Sequence, residues 1–187
     1  TELEFEKAAR GAAVAPVADE YAWGSTSITA ASSISGSETS GSETTGGGAN
    51  AAYNNTVLSG GDGSQGPLRS GIFATQSTSR QTAGAGYYGA MELSGNVAER
   101  VVSVGNSQGR AFTGSHGDGQ LSVSGFATNA DWPGFAGGEV SDAQGSGIRG
   151  GGWSDAPARL RLSDRQEASQ PVSVRHSRLG FRAVRTA

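Results

Sequence analysis

With 187 residues, the chain is long enough for one domain with a real core and too short to argue for two. Its 31 glycines follow no Gly-X-Y period, which excludes collagen, and with only 35% apolar residues they point to a fold dominated by loops and turns. A formal charge of -3 exerts no global attraction on nucleic acid. The absence of cysteine excludes disulfides, thiolate metal sites and thiol nucleophiles within these residues, and no apolar run is long enough to span a membrane.

The chain opens on TELEFEKAARG, which reads as the interior of a domain. The pattern predicts a helix from Thr1 to Arg10. Thr1 caps it, Glu4 sits at the capping-box position, and Phe5, Ala8, Ala9 and Ala12 form one apolar stripe. Gly11 is a natural stop. Ala22-Trp23-Gly24 is a small aromatic anchor. Residues 25–66 follow, rich in Gly, Ser and Thr; such a stretch gains little from burial and reads as a long surface insertion.

Structure is expected to resume near Gly86. Gly95-Asn96 suits a turn, and Val101, Val102 and Val104 suit a strand. Alternation of Leu121 and Val123 predicts a half-buried strand over 119–126, and ADWPGFAGG a loop anchored by Trp132 and Phe135. Gly180 to Val184 reads as a closing strand. Together these elements predict one α+β domain with short strands. Between Arg149 and Arg182 lies a mostly polar stretch framed by a Gly-rich turn and a Gly-Phe-Arg, too poor in apolar side chains to be buried as a whole. It reads as a display segment. From Arg149 onward there are eight arginines (149, 159, 161, 165, 175, 178, 182 and 185) and no lysine.

Five landmarks carry a family resemblance. They are the TELEFEKAARG helix, Tyr21 to Gly24, Gly95 to Arg100, Arg149 to Trp153, and Gly180-Phe181-Arg182. In this order they resemble the formylglycine-generating-enzyme/sulfatase-modifying-factor family, a branch of the C-type lectin-like fold. Phe5, Ala98 and Arg100 stand where that family usually has tryptophan. The resemblance implies a loop-rich C-type lectin-like domain over 1–187, lacking the family's N-terminal strand and helix. The family's oxygen-dependent enzyme uses a cysteine pair and copper, and its iron-dependent relatives a histidine-rich triad. Here there is no cysteine, and the two histidines are His116 and His176. That chemistry is not expected.

A closer resemblance is to variable proteins diversified by retroelements, which display a mutated segment on this same fold. By that likeness 149–182 is the variable, ligand-binding region. Its expected display residues are Ser154, Asp155, Ala156, Pro157, Arg161, Gln166, Glu167, Gln170, Val172, Ser173, Val174, His176, Ser177 and Arg178. Its expected frame is Arg149, Gly151, Trp153, Leu160, Leu162, Arg165, Gly180, Phe181 and Arg182. Trp153 is expected to anchor the core. Leu160 and Leu162, sharing strand parity, are expected to point inward while the polar residues around them face out.

The implied function is non-enzymatic ligand binding, toward a protein or glycan on another cell or host surface, from an extracellular, cell-surface or virion location. No cofactor is expected; a structural calcium at Asn96 and Glu99, or at Asp118, Asp131 and Asp142, is the metal the sequence leaves room for. Pairing of Asp155, Asp164 or Glu167 with His176 for hydrolysis is common enough to arise by coincidence. Nucleic-acid binding would need aligned positive charge and stacking aromatics. The competing readings are a divergent enzyme of the family and a structural component of a surface or phage tail.

Overall fold

In the computed structural model, which describes residues 1–36, 41–54, 66–115, 117–171 and 175–180, helix α1 (Glu2–Arg10) begins where its cap dictates. Thr1 Oγ1 accepts from the Glu4 amide, and the Glu4 side chain returns the bond, closing the capping box. Phe5 and Ala9 are buried on the inner face, whereas Ala12, beyond the Gly11 stop, is exposed. Burial of a Phe side chain such as Phe5 is worth roughly 1.5–3 kcal/mol.

The remaining elements are short. They are β1 (Ile34–Ser35), β2 (Thr44–Thr45), β3 (Ala98–Val102), α2 (Ser107–Arg110), β4 (Phe135–Ala136), β5 (Glu139–Val140), β6 (Ser146–Arg149), a 3-10 turn (Pro157–Leu160) and β7 (Leu179–Gly180). The molecule is thus a mixed α+β fold with few helices and short strands. Its central sheet runs β6-β3-β7. β3 pairs antiparallel with β6, Glu99 opposite Arg149, and parallel with β7, Ala98 opposite Leu179. The remaining pairs, β1-β2 and β4-β5, are two-stranded and antiparallel.

The main core gathers Phe5, Tyr21, Trp23, Tyr53, Leu93, Val101, Leu160 and Leu162 from all along the chain. Tyr21 and Trp23 stack with centroids 5.1 Å apart. Ser94 knits this core: its hydroxyl accepts from the Ala22 amide at 3.0 Å and donates to the Leu160 carbonyl at 2.7 Å. A second cluster joins Ala31, Ala49, Ala52, Ile72 and Phe73.

Three expectations are corrected here. The stretch 25–66 is not merely a surface insertion, because Ala31, Ala49, Asn50, Ala51, Ala52 and Tyr53 are buried. Nor does structure wait for Gly86, since Ile72 and Phe73 are already core. Small side chains let the backbone itself pack closely there. Residues 119–126 form no half-buried strand. One bridge, Leu121 to Ala127, closes a turn, and Leu121 and Val123 are 66% and 109% exposed. The ADWPGFAGG stretch contains β4, the first strand of the β4-β5 hairpin, in which Phe135 pairs with Val140 just beyond it.

Candidate functional site

Strand β6 delivers the chain into the display segment, and the backbone clamps that entry to the Gly95-Asn96 turn. Gly95 N donates to Gly150 O at 2.8 Å and Trp153 N to Asn96 O at 2.7 Å. Asn96 adopts a positive φ of 65° and spends its side chain on Leu68, accepting from its N–H at 2.7 Å and donating to its carbonyl at 2.9 Å. Gly151, at φ 65°, is needed by space as well as conformation. A Cβ there would lie 2.8 Å from the Leu160 side chain.

The frame is buried in part. Arg149 is 2% exposed, donates to Leu162 O at 2.6 Å, and faces Glu2 at 3.4 Å and Glu6 at 3.5 Å from helix α1. Burial, and next to it the like charge of Arg165, pushes its pKa below the usual arginine value, while Glu6 and Glu2 oppose the shift. Leu160 and Leu162 are 0% and 1% exposed, as expected, but the reason differs. Leu160 ends the 3-10 turn, and Leu162 N bonds Glu20 O at 2.9 Å, so no strand sets their parity. Trp153 is half-buried against the second cluster, its indole N–H donating to Ser177 O at 3.3 Å. Gly180 sits in β7. Arg165 is exposed; it donates to Leu162 O at 2.8 Å and pairs with Glu6.

The display residues divide. Ala156, Gln166, Gln170, His176 and Ser177 are exposed, as are Pro171 and Arg175, while Ser154, Pro157 and Arg161 are half-buried. Arg161 pairs with Asp19 at 2.9 Å. Asp155, Glu167 and Arg178 are half-buried and engaged with one another. Arg178 bridges both carboxylates at 3.1 Å, and Asp155 also accepts from Gly152 N at 2.8 Å. Glu167 foremost, then the Asp155 charge, raises the Arg178 pKa above its ordinary value against the cost of burial. Val172, Ser173, Val174, Phe181 and Arg182 lie outside the described residues, as does His116.

The metal readings can be weighed against these contacts. Copper bound by a cysteine pair does not fit a chain without cysteine. Asp118 and Asp142 each accept a neighbouring backbone N–H, from Gln120 and Gln144. Asp131 accepts from Thr113 and Ser115. Among the described residues no three acidic or histidine side chains converge as a metal cluster. Asp155 and Glu167 are likewise held by Arg178, while the His176 ring nitrogen Nδ1 accepts from the Arg178 amide at 3.3 Å.

Sequence reasoning missed that Glu2 and Glu6 anchor Arg149 and Arg165, and that Glu20 pairs with Arg10. Glu2 and Glu6 stand about one turn apart on the first helix, but nothing local told which arginines they meet.

The family model for the sulfatase-modifying factor enzyme 1-like domain matches residues 1–187, and the chain belongs to that family. No curated protein and no solved structure matches the chain.

Proposed function

We propose that this member of the family is a non-enzymatic ligand-binding protein. It displays residues 149–182, diversified by a retroelement, on a C-type lectin-like scaffold at a cell surface or on a virion. Its ligand is a protein or glycan carried by another cell or host. One observation carries this reading. Within the segment, Arg149, Gly151, Leu160 and Leu162 are buried, while Ala156, Gln166, Gln170, His176 and Ser177 project to solvent from an irregular backbone. Such a division lets side chains change on the outside without touching the core beneath. The lack of cysteine, and the engagement of Asp155 and Glu167 by Arg178, speak for binding over catalysis.

Deep sequencing of the coding segment for 149–182 across the source population tests it, with 86–126 as the internal control. Substitutions crowded at Ala156, Gln166, Gln170, His176 and Ser177, with Arg149, Gly151, Leu160 and Leu162 constant, are expected. Equal quiet in both regions would remove the diversification claim and leave a fixed-ligand or structural member of the family.

A further inference from the structure

Outside the display segment, residues 74–91 fold as consecutive turns around a solvent-open groove of about 350 Å³, lined by Thr75, Thr78, Ser79, Arg80, Tyr87 and Met91 among others. That volume falls at the lower end of the range for small-ligand sites. Beside it stand two large exposed aromatics, Tyr87 at 48% and Tyr88 at 60%, edge to face with centroids 4.9 Å apart. We propose that this groove is a subsite for a neutral sugar ring, separate from the 149–182 surface.

The aromatic wall is held in place before any ligand arrives. Tyr87 N donates to Ala9 O at 2.8 Å, and its ring lies where a Cβ on Gly11 would come within 2.7 Å of Cγ, so only glycine there admits it. Arg80 sits over the same ring, 5.4 Å from its centroid. Three of its N–H donors are engaged by the backbone: Nη2 on Ala9 O and Ala22 O at 2.9 Å each, and Nε on Ala85 O at 3.3 Å. Arg80 is therefore a positioning residue. It offers an anion less than a free guanidinium would, and no carboxylate lines the groove to attract a cation.

The groove lining also presents oriented hydroxyls. Thr78 Oγ1 accepts from Thr75 N at 2.8 Å and donates to Thr75 O at 2.9 Å, and Ser79 Oγ lies 3.2 Å from Thr82 Oγ1. The Thr78 oxygen, accepting one bond and donating one, keeps a second lone pair to offer. A peptide adding as a strand finds poor purchase, because Ala85 already bridges Met91 and Gly86 N already bonds Ala90 O at 2.8 Å. Exposed rings of low conformational entropy, hydroxyls and a guanidinium largely engaged by backbone carbonyls match a pyranose. Its C–H face covers an aromatic ring and its hydroxyls meet Thr and Ser.

Saturation-transfer NMR on the intact chain tests this, with lactose, maltotriose and mannotriose as neutral probes and N-acetylneuraminic acid as the anionic one. At least one neutral probe should receive saturation. Tyr88→Ala should weaken that binding by about fivefold or more, while Tyr88→Phe and the display-surface variant Gln166→Ala keep it. Four results would each overturn the proposal: silence from all three neutral probes, preference for the anionic one, indifference to Tyr88→Ala, or loss in Gln166→Ala alone. A circular dichroism spectrum matching the parent's certifies the fold of each variant. The sequencing experiment above stands or falls independently of this one.

Discussion

Arg178 meets Glu167 as a fork on a carboxylate, Nη2 to Oε1 at 3.1 Å and Nη1 to Oε2 at 3.2 Å, and the same Nη1 reaches Asp155 Oδ2 at 3.1 Å. One guanidinium therefore ties the beginning, middle and end of the display segment. Arg178→Ala leaves two half-buried carboxylates facing each other without a cation, and about 1–3 kcal/mol of stability should be lost. Arg178→Lys keeps the charge but not the fork, so it should fall between parent and alanine variant in urea unfolding. An alanine variant as stable as the parent would reduce the trio to surface decoration. If the segment varies in nature, these positions should change together.

Arg149 plays the corresponding part beneath the segment, joining helix α1 to Leu162 O. Because Glu2 is itself 2% exposed and Arg149 equally buried, removing the cation strands a carboxylate out of reach of water. Arg149→Ala should cost about 3–5 kcal/mol, a large share of a small domain's stability. The Glu2→Gln/Arg149→Met double variant should recover part of that loss in the same thermal unfolding assay. No recovery would mean that the bond to Leu162 O carries the effect.

Frame and display positions should separate cleanly under truncation. Leu160, fully buried, should lose about 2–5 kcal/mol as Leu160→Ala, whereas Gln166→Ala and Gln170→Ala should stay within about 0.5 kcal/mol of the parent. Gly147→Ala should be more damaging than its size implies, because the new Cβ would sit 1.8 Å from Ala168 O. Gly66→Ala, which meets nothing within 4 Å among the described residues and has no positive φ to strain, is the matched control. Melting temperatures in which Gln166→Ala falls as far as Leu160→Ala would contradict the division on which display rests.

Local signals in the sequence found what local chemistry decides. The capping box at Thr1 and Glu4 is closed by residues three apart, and Leu160 and Leu162 stand out as rare apolar residues in a polar stretch. What escaped depends on distant partners. Residues 49–53 look featureless until Ala52 O is seen to accept from Asn96 N, and Arg178 looks like a free surface charge until Asp155 and Glu167 close on it. The alternation at Leu121 and Val123 misled for the same reason: periodicity gives a strand two faces but cannot supply a neighbour to pair with.

Asp131 offers a pH-dependent reading of how the loops around residues 113–115 are held. Its Oδ2 accepts from the Thr113 hydroxyl at 2.8 Å, the Thr113 amide at 3.2 Å and the Ser115 amide at 3.4 Å. These bonds, the Thr113 hydroxyl foremost, hold its pKa below the ordinary aspartate value against a smaller opposing effect of burial. A folded pKa below the unfolded one means the stabilisation is fully present above the unfolded value, near 3.9, and is lost as pH falls through the folded value. The Thr113 and Ser115 amide resonances should therefore titrate with a midpoint below about 3.9, and Asp131→Asn should abolish that titration. A midpoint at or above the free-aspartate value would mean that these donors do not favour the carboxylate, and the loops would then owe their arrangement to the Trp132 indole bond to Ser115 O at 2.9 Å instead.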